Sequence, residues 1–190
     1  MFSEEYEFTA VHEAGHTVCM EHFPPEPPVS SLSPPRDSLW PRTREIDITY
    51  DKVKERFDGR IHYEKNGLSV EERLFITLGG KFAELMARTE GNWDFTAIRT
   101  RIFSGEYGDT QDLEDVNNLL GMVPESRREQ VLTETISNIC SSLEKNWDLI
   151  IQIATDLLSK CDPETHEGMI LYYEFSPEAQ ARLKRLRDNG

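Results

Sequence analysis

Cysteine is scarce in these 190 residues: Cys19, Cys140 and Cys161 are the whole set, odd in number, widely spaced and without a C-x-x-C pair. That argues against a disulfide framework and against a cysteine zinc cluster. No apolar run approaches the ~20 residues needed to span a bilayer. The amino terminus also lacks the basic and apolar regions of a signal peptide, so a cytoplasmic protein with no membrane span is expected. Positive charge is in deficit as well, with 21 Lys and Arg against 35 Asp and Glu and a formal net charge of −14. Nucleic acid is therefore not an expected partner, because its binding surfaces need clustered cations.

The composition that remains, 37% hydrophobic and 29% charged, is that of a soluble chain long enough to bury a real core. A single domain over residues 1–190 is expected, with residues 24–44 a Pro-rich surface segment and residues 161–190 a C-terminal appendage. Pro24, Pro25, Pro27, Pro28, Pro34, Pro35 and Pro41 forbid a helix in the first of these and allow at most an edge strand around Val29 to Leu32. Ile46, Ile48 and Tyr50 alternate with Asp47 and Thr49, and Arg60 to Tyr63 can pair with them, giving a small sheet. Ser69 and Glu72 form a capping box ahead of a helix whose apolar stripe runs from Val70 to Leu85, interrupted by Gly79-Gly80. If that helix continues through the glycines, something packs closely against it.

Residues 89–109 read as a polar loop with a short helix around Phe95 to Ile102. Asp109 or Thr110 then caps a helix carrying Asp112, Leu113, Val116 and Leu119. Ser126 to Lys160 is the longest periodic segment, either one helix or two that meet near Asn146. Met169 to Phe175 resembles a strand, and Ser176-Pro177-Glu178 opens a terminal helix. The fold class expected is mainly α with a small β-sheet.

Within the first helix, expected from about Ser3 to Phe23 and stopped by Pro24-Pro25, stands His12-Glu13-Ala14-Gly15-His16. Positions i and i+4 lie one above the other on a helix, so both imidazoles can reach one metal ion while Glu13 projects beside them. This is the HExxH pattern of zinc peptidases, in which the glutamate is the base that activates water. Gly15 costs about 1 kcal/mol relative to Ala in a helix interior, which again points to close approach of another backbone. Cys19 belongs to the core face rather than to a metal site.

Two histidines leave a catalytic zinc short of the three protein ligands such sites usually have. His22, His62 and His166 are poor candidates by position. Among the acids, Glu84 lies in an apolar helix where a carboxylate needs a purpose, and Asp112 opens a helix after a Gly-rich loop. Spacing alone leaves both open.

Three motifs in order, His12-Glu13-Ala14-Gly15-His16, Leu78-Gly79-Gly80-Lys81-Phe82-Ala83-Glu84 and Gly108-Asp109-Thr110-Gln111-Asp112-Leu113, resemble those of the FtsH family of AAA-associated zinc peptidases, which read approximately HEAGH, LGGRAAE and GASNDL. The likeness covers about residues 5–160. It implies a zincin-like HExxH helix packed in a helical peptidase domain, zinc held by His12, His16 and Asp112, and Glu13 as the catalytic base. It leaves Glu84 to orient a metal-bound imidazole through its other nitrogen or to serve helix packing.

The chain departs from the family in three ways. It contains no G-x-x-x-x-G-K-[ST] loop and no membrane anchor, and the segment after HEAGH, where the family has a substrate-lining strand, is rich in proline. The expectation is an ATP-independent zinc metallopeptidase acting on peptides or unfolded protein segments, as a monomer or dimer more readily than a hexamer. The alternative is a non-proteolytic zinc-containing binding or adaptor protein derived from the same fold.

Overall fold

The computed structural model describes residues 4–23, 41, 43–63, 67–89, 100 and 111–189. The expectations for an edge strand at Val29 to Leu32, for a short helix around Phe95 to Ile102 and for a cap at Asp109 or Thr110 lie outside those residues. What is described is mainly helical with a small antiparallel sheet.

Helix α1 (Glu5–Glu21) runs through the middle of the molecule. Its residues from Ala10 to Glu21 are all buried, so that stretch has no solvent face for a one-sided apolar stripe to oppose. Helices α2 (Val70–Arg88) and α4 (Glu125–Leu158) pack against it, and the sheet covers it from another side. The sheet has the order β2-β1-β3, from β1 (Thr43–Asp51), β2 (Arg56–Tyr63) and β3 (Gly168–Leu171). Ile46 stands opposite both Ile61 and Ile170, and Ile48 opposite both Gly59 and Gly168, so one face is apolar and closes on the core.

The hairpin is longer than sequence alternation alone indicates. Its turn holds no glycine; instead the Asp51 carboxylate accepts from the backbone N–H of Val53 at 2.8 Å and of Lys54 at 3.1 Å, and Glu55 takes a positive φ of 54°. The Ser69–Glu72 capping box forms at the start of α2, with bonds of 2.7 and 3.2 Å. Helix α3 (Gln111–Gly121) packs on α2. In α4 the two readings of the periodicity meet: the run is continuous but Asn146 leaves helical geometry at φ −114° and ψ 15°, and its side chain donates to the Ser142 carbonyl at 2.9 Å. The strand expected from Met169 to Phe175 ends at Leu171. Beyond it, Glu174 turns back to accept from the Leu171 N–H at 3.0 Å and the chain enters a 3-10 turn. Helix α5 (Pro177–Asn189) then returns to α1, where Arg187 makes a buried ion pair with Glu21 and donates to the Tyr172 hydroxyl at 2.9 Å.

Candidate metal centre

The crossing of α1 and α2 explains the glycines. A Cβ on Gly15 would stand 2.5 Å from the Ala83 Cβ and 2.7 Å from the Gly79 carbonyl oxygen. One on Gly79 would strike the Cys19 thiol, and one on Gly80 would lie inside the His16 ring contact. The three glycines therefore need one another: each is the space into which the other helix brings backbone, cysteine or imidazole. Cys19 is fully buried there, and burial pushes its thiol well up.

That crossing also sets the tautomers. His16 Nδ1 is 2.7 Å from the Ile76 carbonyl oxygen, which only accepts, so the proton of the neutral ring sits on Nδ1 and Nε2 is a bare lone pair. His12 Nδ1 lies 3.1 Å from Glu84 Oε2, with the same consequence. The two Nε2 atoms point at each other across 3.0 Å. Asp112, in the first turn of α3, brings Oδ2 to 3.0 Å from His12 Nε2 and 3.5 Å from His16 Nε2. Asp112 Oδ2 is buried and, among the described residues, meets no partner with full hydrogen-bond geometry.

Three electron-rich atoms thus converge on one point. Such a cluster is repulsive until a cation or a proton enters it. With bonds of about 2.0–2.1 Å, two ligands of a tetrahedral zinc ion stand about 3.3 Å apart. The observed edges of 3.0, 3.0 and 3.5 Å fit that requirement. Two imidazoles and one carboxylate are also a donor set that suits zinc.

In the metal-free protein a proton relieves the repulsion. Burial opposes charging His12, but Asp112 and Glu84 outweigh it and hold the imidazole well above its usual range; His16 is raised in the same way, mainly by Asp112. Burial likewise opposes ionisation of Asp112, yet the two histidines hold it far below the ordinary carboxylate range. Glu84 overcomes its burial through His12, Lys81 and Arg88 and is lowered to about 2.

Glu13 is on the same turn, buried, with a donor atom within 4.8 Å of those of His12 and His16. Burial raises its carboxyl, offset in part by the two histidines. Its carboxylate lies against Gly59 of β2, where any Cβ would overlap it. A cleft of about 380 Å³ opens over these groups, bounded by α1, by α2 and by the stretch Arg56 to Ile61 of β2.

All five residues singled out from the sequence, His12, Glu13, His16, Glu84 and Asp112, are brought together here. Glu84 and Asp112 take opposite edges of the His12 ring, and Asp112 alone of the two approaches His16 as well. The remaining histidines stand elsewhere. His22 bonds Ser142 at 2.7 Å, His62 lies beside Glu45 and Asp47 on the sheet surface, and His166 stacks on Tyr6 at 4.2 Å. Asp115 is exposed on α3, where it accepts from Gln111 at 3.4 Å.

Sequence reasoning passed over Lys81, Arg88 and Gly59. The first two were visible as a polar stripe with Glu84, at i, i+3 and i+7 of an apolar helix, and the third as a glycine inside a strand, which signals close backbone approach.

No model of a known protein family matches the chain, and no curated protein matches it.

Proposed function

We propose that this protein is a zinc metallopeptidase of the FtsH type, with a zincin-like helix α1, that hydrolyses peptide bonds in extended peptides or unfolded segments. One observation carries the reading: His12 Nε2, His16 Nε2 and Asp112 Oδ2 form a triangle of 3.0, 3.0 and 3.5 Å with a buried glutamate beside it. His12, His16 and Asp112 would hold the metal. When bound there, zinc would lower the pKa of a water toward ~7 and polarise a substrate carbonyl.

The protein's own groups do the rest. Glu13 would take the proton of the attacking water and return it to the leaving amine. Glu84 and the Ile76 carbonyl each take an Nδ1–H, fixing both rings with Nε2 turned inward. Strand β2 pairs with β1 along one edge and borders the cleft over six consecutive residues. An extended peptide can add to such an edge through main-chain hydrogen bonds, which supports unfolded chains as the substrate class. No helix among the described residues is long and apolar enough to cross a membrane. We place the reaction in the cytoplasm, carried out by a monomer or dimer.

The test is zinc content combined with cleavage of a peptide mixture, using Glu13→Gln as the control. The expected result is one zinc per chain in both proteins and cleavage by the parent only. Full zinc occupancy without cleavage would instead indicate the non-proteolytic binding protein. Unchanged zinc content in Asp112→Ala would overturn the ligand assignment.

A further inference from the structure

We propose that Lys81 is a positioning residue of the metal centre, acting through Glu84 on His12; this rests on the zinc-site reading above. Lys81 is only 3% exposed, in the middle of α2, an environment that disfavours an ammonium group unless it is tightly paired. An i,i+3 pair of lysine and glutamate on a helix is ordinary. What sets this one apart is its burial and the atom it uses. Lys81 Nζ donates to Glu84 Oε2 at 3.1 Å, the same oxygen that receives His12 Nδ1–H at 3.1 Å.

The other oxygen is held too. Glu84 Oε1 accepts from Arg88 Nε at 2.9 Å, and Arg88 is itself fixed by two bonds to Glu5, at 3.1 and 2.6 Å, and by the Phe8 ring, 4.1 Å from its guanidinium carbon. Glu84 is thereby held at three points. Arg88 stands at the rim with its side chain 21% exposed, whereas the Lys81 side chain is 4% exposed, so the lysine makes the drier and less screened contact.

The consequence is directional. Glu84 is kept on the Nδ1 edge of His12, leaving the Nε2 edge to Asp112 and the metal. Lys81 borders the cleft, but its ammonium is engaged on the carboxylate that orients the ring. It therefore sets the orientation of a ligand and supplies none.

The experiment measures metal affinity by chelator competition, and the visible absorption of the cobalt(II)-loaded protein, for the parent, Lys81→Met, Glu84→Gln and the double variant. Lys81→Met should weaken zinc binding by about 10–100-fold and shift the cobalt bands. The double variant should bind no more weakly than Glu84→Gln alone, because both substitutions break one linkage. Lys81→Gln, which retains an N–H toward Glu84, enters the same cycle with a smaller loss and replaces Lys81→Met should that protein not fold. Parent-like affinity in Lys81→Met, or losses that multiply in the double variant, would overturn the role of Lys81 and leave the zinc site standing. A parent protein that binds no metal would overturn both.

Discussion

Replacing Gly80 with alanine adds one methyl group against the His16 ring, at a tightly constrained point of the site. That carbon would lie 2.6 and 2.7 Å from Cδ2 and Cε1 of the His16 ring, against an ordinary carbon contact of about 3.5–4.0 Å. The ring would have to move by roughly 1 Å. It cannot do so freely, because Nδ1 is held 2.7 Å from the Ile76 oxygen and Nε2 faces His12 at 3.0 Å. A displacement of that size exceeds the tolerance of about 0.2 Å on a metal–ligand bond, so zinc affinity should fall by about 100-fold or more. Overpacking alone should cost about 1–3 kcal/mol of stability.

Melting curves at a fixed, buffered free zinc concentration separate the two effects. At a zinc level near 100 times its Kd, the parent gains about 2.7 kcal/mol, or roughly 5–11 °C in a chain of this length. A variant bound 100-fold more weakly gains about 0.4 kcal/mol, or roughly 1–2 °C, at the same zinc level. Gly121 is the control. A Cβ there meets nothing within 4 Å among the described residues, so Gly121→Ala should keep the full zinc shift and gain up to about 1 kcal/mol of stability. A Gly80→Ala protein with the parent's zinc shift would refute the account of the α1–α2 crossing.

Gly59→Ala should act on the base and spare the ligands, since its Cβ would stand 2.6 Å from Cγ and 2.7 Å from Cδ of Glu13. The expectation is a kcat reduced by about 10²–10⁴-fold with the zinc-induced melting shift intact; loss of that shift would contradict it. In metal-free protein, the contacts of His12 with Asp112 and Glu84 are strongest while the imidazole is charged and the carboxylates are ionised. The raised His12 and His16 contribute fully below their unfolded value near 6.5 and lose that contribution as pH rises through their folded values. The lowered Asp112 and Glu84 contribute above about 4 and lose theirs as pH falls through their folded values. Zinc competes with those imidazole protons, so its melting shift should grow between pH 6 and 8.5, and a flat profile would exclude the histidines as ligands. Arg187→Ala leaves Glu21 buried without its counter-charge and should cost about 3–5 kcal/mol, whereas Glu21→Leu combined with Arg187→Met should fall near the parent in a thermal melt.

How much of this was legible in the sequence depends on whether the signal was local. The HExxH helix, the Ser69–Glu72 cap and the kink at Asn146 are written within a few residues of where they act. Gly15, Gly79 and Gly80 announced a close approach, although nothing in a linear chain says that they approach one another. Alternation understates the hairpin because its turn uses Asp51 and a left-handed Glu55 instead of glycine, and it overstates β3 because Glu174 ends that strand by a side-chain bond that alternation does not encode. Glu84 and Asp112 stayed equivalent by spacing because both reach His12. Only the folded arrangement separates the carboxylate on Nδ1 from the one on Nε2.

That separation reveals a division of labour among the helices. In the three-atom cluster, α1 gives two donors, α3 gives one and α2 gives none. Yet the Ile76 carbonyl, the bare Cα of Gly80 and the Lys81–Glu84 pair, all on α2, decide where both imidazoles point. On the proposed zinc reading, metal affinity would depend on the α1–α2 packing as much as on the ligands. Asp112 adds the ion pairs that join the first turn of α3 to α1, so metal binding at this point would be felt as folding free energy at the start of α3. A substitution at the α1–α2 crossing should then loosen α3 without touching it, because the helix that α3 packs against also holds the rings to which Asp112 is tied.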